Sequence, residues 1–147
     1  MNTADLTTAA LERFRAGFSC SQAVFSVFAE EMGLDREAAL RLSQALGGGM
    51  AHLGQACGAL TGAFLAVGLK HGRVRPEDLA ARDRTYARMQ ELAARFRERF
   101  GGLTCPQVLG EDLATADGLR RAQEQNLFRR RCDEFVRAAV EWTAEIL

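Results

Sequence analysis

Four cysteines are the residues of this chain best suited to carry chemistry: Cys20, Cys57, Cys105 and Cys132. In a reducing compartment, cysteines that matter more often bind metals, catalyse reactions or sense redox state than form lasting disulfides. They lie far apart in the chain and include no C-x-x-C pair, whereas zinc and ferredoxin-type sites usually close short loops. The set can act together only if the fold brings the side chains to one place.

Three of the cysteines are predicted to lie in the first turn of a helix. Cys20 follows Ser19, Cys57 follows a glycine-rich loop, and Cys105 follows Thr104. Unpaired N–H groups and the helix dipole favour negative charge at a helix N-terminus, so a thiolate there has a lowered pKa. We therefore expect these cysteines to be good nucleophiles and good metal ligands.

The direction of the side chains also matters, because cysteines can meet only if their helices point them to the same interior. Cys20, Cys57 and Cys132 each share a predicted helix face with apolar residues and should point inward. Free cysteine is, however, among the most buried residue types. The four cysteines could thus be ordinary core residues of a helical structural or interaction protein.

The residues around the cysteines carry a recognisable signature. It consists of Phe18-Ser19-Cys20-Ser21-Gln22-Ala23, Gly47-Gly48-Gly49-Met50 and Cys57-Gly58-Ala59-Leu60-Thr61-Gly62-Ala63, followed by Cys105 and Cys132. In this order the residues resemble the C_GCAxxG_C_C family of redox-active proteins over about residues 18 to 139. The resemblance implies a small helical protein in which the four cysteines form the redox-active set.

A related domain looks to be part of split-Soret-type cytochromes, where an iron-sulfur cluster accompanies haem. This likeness implies an iron-sulfur cluster as an alternative use of the same cysteines. The chain has no C-x-x-C-H motif, so we expect no covalent haem.

The leading hypothesis is a thiol-based redox protein with an unknown redox partner. Cys57 would attack an oxidised substrate as thiolate, and Cys20 or Cys105 would resolve the intermediate as a disulfide. The alternative is an electron-transfer module in which Cys20, Cys57, Cys105 and Cys132 all ligate an iron-sulfur cluster or another metal.

Other polar residues give weaker signals. His52, in the glycine loop, could tune Cys57 or supply a ligand, although a loop histidine is more often solvated. The run Arg129-Arg130-Arg131 could lower the pKa of Cys132, but the acidic residues that follow favour a solvated helix face. The glycine loop is followed by no Gly-Lys-Ser/Thr sequence, so it predicts no nucleotide site.

These residues must be positioned by helices, since no segment shows sustained period-two alternation. We predict an all-α bundle of about six helices and no sheet, forming a single domain over residues 1–147. The main predicted segments are residues 4–15, 19–32, 35–46, 57–70, 76–100, a short helix from Thr104, and 125–146.

The segment from Cys57 to Lys70 is apolar or small on nearly every side and is predicted to be a buried, glycine-rich central helix. Gly54, Gly58 and Gly62 are spaced four apart, so another helix can approach closely. This helix and the apolar stripe of the next one could pack within one subunit or across a homodimer.

Composition excludes several function classes. Lysine plus arginine equals aspartate plus glutamate at 19 each, so no basic excess attracts nucleic acid or anionic lipid. The most apolar segment, of about 14 residues, is too short to span a bilayer, which needs about 20. The N-terminus carries no visible signal peptide. We therefore expect a cytoplasmic protein without a membrane span.

Overall fold

Eight α-helices carry most of the chain, which a computed structural model describes over all of residues 1–147. They are α1 (Thr3–Arg15), α2 (Cys20–Glu31), α3 (Arg36–Gln44), α4 (Gly58–His71), α5 (Leu79–Phe100), α6 (Cys105–Leu109), α7 (Ala116–Glu124) and α8 (Asp133–Ile146). A π-helical turn, Phe128–Cys132, leads directly into α8. There is no strand, so the predicted all-α class is confirmed.

The predicted count of about six helices is wrong. Helix α7 was not predicted: it is short, rich in charged residues, and buries only Gly118 and Ala122. The predicted final helix is broken near its start, where Asn126 takes a left-handed backbone conformation with φ 55°. Helix α5 begins at Leu79 with Asp78 as its cap, so Pro76 precedes it and is not in its first turn.

Helix α2 is the central element of the bundle. Ser19 and Gln22 form a reciprocal capping box at its start. Nine consecutive residues, 21–29, are buried, and the helix packs against α1, α3, α4 and α8. A helix buried on all sides needs partners all round, which these four helices supply.

The glycine-rich helix α4 differs from its prediction in two ways. Gly54 lies outside it, in a loop, with φ 74°. The end of α4 also reaches solvent, since Leu69 and Lys70 are exposed. Gly58 and Gly62 do lie inside α4 and face α2, which allows the close approach that the spacing predicted.

The core is one continuous cluster that includes Cys57, Cys105 and Cys132. At its α5–α8 end, Phe96, Phe100, Phe135 and Trp142 form an aromatic group; the Phe100 and Phe135 ring centroids lie 4.8 Å apart, edge to face. No helix combines the length and the apolar content that crossing a membrane requires.

Candidate functional site

All four cysteines line one cavity of about 710 Å³. They come from four separate segments: the start of α2, the residue before α4, the start of α6, and the residue before α8. The structure thus brings together the four cysteines that the sequence singled out. All four are free thiols.

Cys20 is the first residue of α2, and the Ser19 cap fixes the chain there through a hydrogen bond from the Gln22 N–H to the Ser19 hydroxyl oxygen. The residue is half-buried, whereas the other three cysteines are buried. Its Sγ lies directly against Gly58, where a Cβ would collide with it. Cys20 is therefore held next to the start of α4.

Cys57 and Cys105 are tied together by the backbone. Ala56 and Thr104 form an isolated antiparallel bridge; the Cys57 N–H donates to the Leu103 carbonyl and the Cys105 N–H to the Gln55 carbonyl, both at 2.8 Å. Side chains alternate along extended chain. Each cysteine directly follows a bridged residue, so both lie on the same face.

Cys132 closes the π-helical turn before α8 and is 8% exposed. A π-turn adds a residue to a helical segment and often occurs at functional sites. In the sequence, Cys132 lies between Phe128 and Phe135, which also line the cavity. The extra residue sets the angle at which Cys132 enters the cavity wall.

The thiol pKa values differ from the expectation. Burial raises the pKa of all four cysteines and outweighs the effect of the helix N-termini. The pKa of Cys105 rises to about 12, through burial and then the charge of Cys20. The prediction of lowered pKa values is therefore wrong, because burial disfavours the thiolate more than the helix starts favour it.

The cysteines also act on one another. After burial, the charge of Cys20 is the largest cause that raises the pKa of Cys57 and of Cys132. Like charges at close range disfavour each other, so a thiolate at one position opposes a thiolate at the next. The four thiols titrate as a coupled set.

Backbone N–H groups oppose burial most at Cys20. Four backbone N–H groups lower the pKa of Cys20: those of Gly48, Ser21, Ala59 and Cys20 itself. Burial raises this pKa by more than these groups lower it. The Ala59 N–H also lowers the pKa of Cys57. The Cys20 Sγ also lies against Gly58, the residue after Cys57, so the two cysteines are neighbours at the start of α4.

A left-handed turn covers part of the cavity. Five consecutive residues, 48–52, have φ between 53° and 75°, and three of them are not glycine. Left-handed backbone is costly for residues with a Cβ and often occurs at functional sites. The turn packs the His52 ring against Gly48 and places Ala51 and His52 on the cavity wall.

The remaining lining carries no acidic or basic side chain except His52 and is mostly apolar. Sequence reasoning missed its four phenylalanines: Phe14, Phe18, Phe128 and Phe135. Phe18 lies inside the first motif, and Phe128 and Phe135 lie on the predicted helix face of Cys132, but none of them was assigned to the site. No Asp, Glu, Lys or Arg lines the cavity, and His52 is the one titratable residue besides the cysteines. The run of three arginines before Cys132 is exposed. Although Arg131 lowers the pKa of Cys132, burial and the neighbouring thiols outweigh it.

The fit of the site to a metal depends on how the donors are spaced. No three His, Cys, Asp or Glu side chains are grouped closely enough to hold a metal ion. The four sulfurs surround the cavity instead of meeting at one point, so a single ion would require them to move inward.

A protein-family model matches the chain over residues 18–146, nearly its whole length, and is described as "Putative redox-active protein (C_GCAxxG_C_C)". Neither the curated proteins nor the solved structures give a match to this chain. The family motif falls on the residues that build the cavity: Cys20, Cys57, Gly58, Cys105 and Cys132. The chain belongs to the C_GCAxxG_C_C family of redox-active proteins.

Proposed function

We propose that this protein is a thiol redox protein in which Cys20 and Cys57 alternate between dithiol and disulfide. The observation that carries the proposal is that four cysteines from separate segments line one cavity, with the Cys20 Sγ against Gly58, the residue that follows Cys57. Two neighbouring thiols can pass two electrons to a substrate and keep the oxidised product as a disulfide.

Cys20 is a better attacking thiol than Cys57, which the sequence favoured. Cys20 is half-buried, whereas Cys57 is 4% exposed. Four backbone N–H groups lower the pKa of Cys20 against burial, whereas burial and the charge of Cys20 hold the pKa of Cys57 well above its ordinary value. A substrate reaches Cys20 first.

The resolving thiol is better assigned to Cys57 than to Cys105. Across the bridge, Cys57 and Cys105 are diagonal neighbours, and such pairs have Cα atoms about 7–8 Å apart. Disulfides rarely span Cα separations above about 7 Å without backbone movement. The Cys20 Sγ lies against Gly58, the residue that directly follows Cys57.

A substrate with a disulfide bond would be reduced in two successive thiol–disulfide exchanges. The Cys20 thiolate attacks one substrate sulfur, and the substrate disulfide breaks with release of one thiolate. The Cys57 thiolate then attacks Cys20 Sγ and releases the second. The substrate gains two electrons, the protein disulfide forms, and the protons of the two cysteines pass to the released thiolates.

Peptide mapping after mild oxidation tests this proposal. Reduced protein treated anaerobically with diamide should lose two thiols and yield a Cys20–Cys57 disulfide. Cys105→Ser should still form it, and Cys57→Ser should not. An unchanged thiol count, or a disulfide confined to Cys105 and Cys132, contradicts the proposal.

A second candidate is an iron-sulfur or other metal cluster held by the four cysteines. Its support is that four sulfurs surround one apolar cavity, a setting in which a positively charged cluster would favour the thiolates that burial disfavours. Anaerobically purified protein would then be coloured and contain stoichiometric iron and sulfide. Colourless protein free of iron and zinc excludes this candidate.

A further inference from the structure

The chemistry of the cavity wall constrains what can reach the thiols. A cavity of about 710 Å³ lies in the range that holds small organic molecules. Three of its four cysteines are at most 8% exposed, so a disulfide on the surface of another protein cannot reach them without unfolding of the wall. A small molecule that enters the cavity can contact these buried thiols as well as the half-buried Cys20.

The wall carries no charged side chain to pair with a charged substrate. Transfer of an unpaired carboxylate or ammonium into an apolar site is strongly unfavourable. Charged low-molecular-weight disulfides are therefore poorly matched to this cavity, whereas an uncharged molecule incurs no such cost.

Four aromatic rings from separate segments line the wall. Phe14 comes from α1, Phe18 precedes α2, Phe128 lies in the π-turn and Phe135 in α8. Phenylalanine faces and edges bind flat rings through stacked and edge-to-face contacts. A flat, apolar ring fits this lining better than a flexible polar chain.

The mouth of the cavity has few polar groups and is partly apolar. Gln44, Ala51 and His52 are exposed and line the cavity, so they form its mouth. His52 and Gln44 are the mouth residues whose side chains can donate a hydrogen bond to a carbonyl oxygen. Met50 and Leu53, beside them in the chain, are 39% and 68% exposed. An apolar substrate with one or two carbonyl groups matches this mouth.

We infer that the oxidant reduced in this cavity is an uncharged quinone, held between the phenylalanines with a carbonyl at the His52 mouth. This inference rests on the proposed function of Cys20 and Cys57. The Cys20 thiolate adds to the quinone, forming a bond from sulfur to the ring. The Cys57 thiolate then attacks Cys20 Sγ, and the electron pair of the broken bond stays on the ring. Two protons, equal to those lost by the thiols, reach the two oxygens and give the hydroquinone.

Three oxidants offered separately to the reduced full-length protein under anaerobic conditions test the inference. Tetramethyl-1,4-benzoquinone is uncharged, flat and fully substituted; oxidised glutathione is charged; diamide is uncharged and lacks a ring. We expect the quinone to remove two thiols with formation of one hydroquinone. It should do so at least about tenfold faster than oxidised glutathione, a ratio equal to about 1.4 kcal/mol in the barrier.

A variant pair separates aromatic binding from general effects. Phe18→Leu should lower the ratio of the quinone rate to the diamide rate by roughly threefold to tenfold, the effect expected for loss of one aromatic contact. Phe100→Leu removes a half-buried ring outside the cavity and should leave that ratio unchanged.

The outcomes distinguish the two proposals. If diamide or oxidised glutathione forms the Cys20–Cys57 disulfide and the quinone does not, the quinone inference is wrong and the proposed function stands. The inference is also wrong if Phe18→Leu and Phe100→Leu change the rate ratio equally. If none of the three oxidants changes the thiol count, both are wrong.

Discussion

The Sγ atom of Cys20 lies against the backbone of Gly58, with no room for a side chain between them. A Cβ at Gly58 would also lie 3.1 Å from the Leu46 carbonyl oxygen and 3.2 Å from the Gly47 Cα. The absence of a side chain at position 58 is therefore what lets Cys20 come next to Cys57. Gly62, the second glycine of the C-G-A-x-x-G motif, also allows a close approach of α2: a Cβ there would lie 2.7 Å from the Ser21 carbonyl oxygen.

Gly58→Ala should destabilise the protein and displace Cys20. The added methyl group meets backbone and a sulfur in a packed site, and overpacking of this kind costs about 1–3 kcal/mol. Gly68→Ala, in the same helix, is the matched control, because nothing lies within 4 Å of its Cβ position. The control should stabilise the protein by about 0.5–1 kcal/mol. Urea unfolding of both variants checks the prediction, and equal effects would contradict it.

Cys20 should react first with a small alkylating agent. The other three cysteines are at most 8% exposed and become available only when the wall opens. Each 1.4 kcal/mol of opening free energy slows labelling tenfold, so we expect them to react at least about tenfold more slowly. Timed iodoacetamide labelling at pH 8 with peptide mass spectrometry measures the order. Labelling of Cys105 or Cys132 ahead of Cys20 would count against the site as described.

The sequence predicted much of this site because its local signals are strong. The helix caps at Ser19 and Thr104 place Cys20 and Cys105 at helix starts, and the structure has both. The raised thiol pKa values were not predictable, because burial depends on how four distant segments close around one cavity. Likewise, the bridge between Ala56 and Thr104 involves single residues far apart in the chain, which no periodic pattern reveals.

Stability should fall as the pH rises above 9. In the unfolded chain a thiol ionises near its ordinary pKa of 9.0, whereas burial and the charge of Cys20 raise the pKa of Cys105 to about 12 in the fold. Between these values the unfolded state has lost the proton and the native state keeps it. Ionisation therefore favours unfolding, by about 1.4 kcal/mol for this thiol at pH 10.

Urea unfolding of the wild type and of Cys105→Ser at pH 8 and pH 10 measures this effect. Serine does not ionise in this range, so the variant should lose less stability than the wild type between the two pH values. An equal loss of unfolding free energy in both proteins would show that folding does not raise the pKa of the Cys105 thiol.

The left-handed turn over the cavity should carry measurable strain at Ala51, where φ is 53° and ψ is 43°. Alanine in this conformation is less stable than glycine by about 1 kcal/mol, so Ala51→Gly should stabilise the fold by about that amount. Ala94→Gly is the matched control: Ala94 is exposed inside α5, and the same substitution there should destabilise by about 1 kcal/mol. Thermal and urea unfolding of the two variants should therefore shift in opposite directions. If Ala51→Gly destabilises the protein as Ala94→Gly does, the turn is not left-handed in solution, and the mouth that places His52 beside the cavity has a different shape.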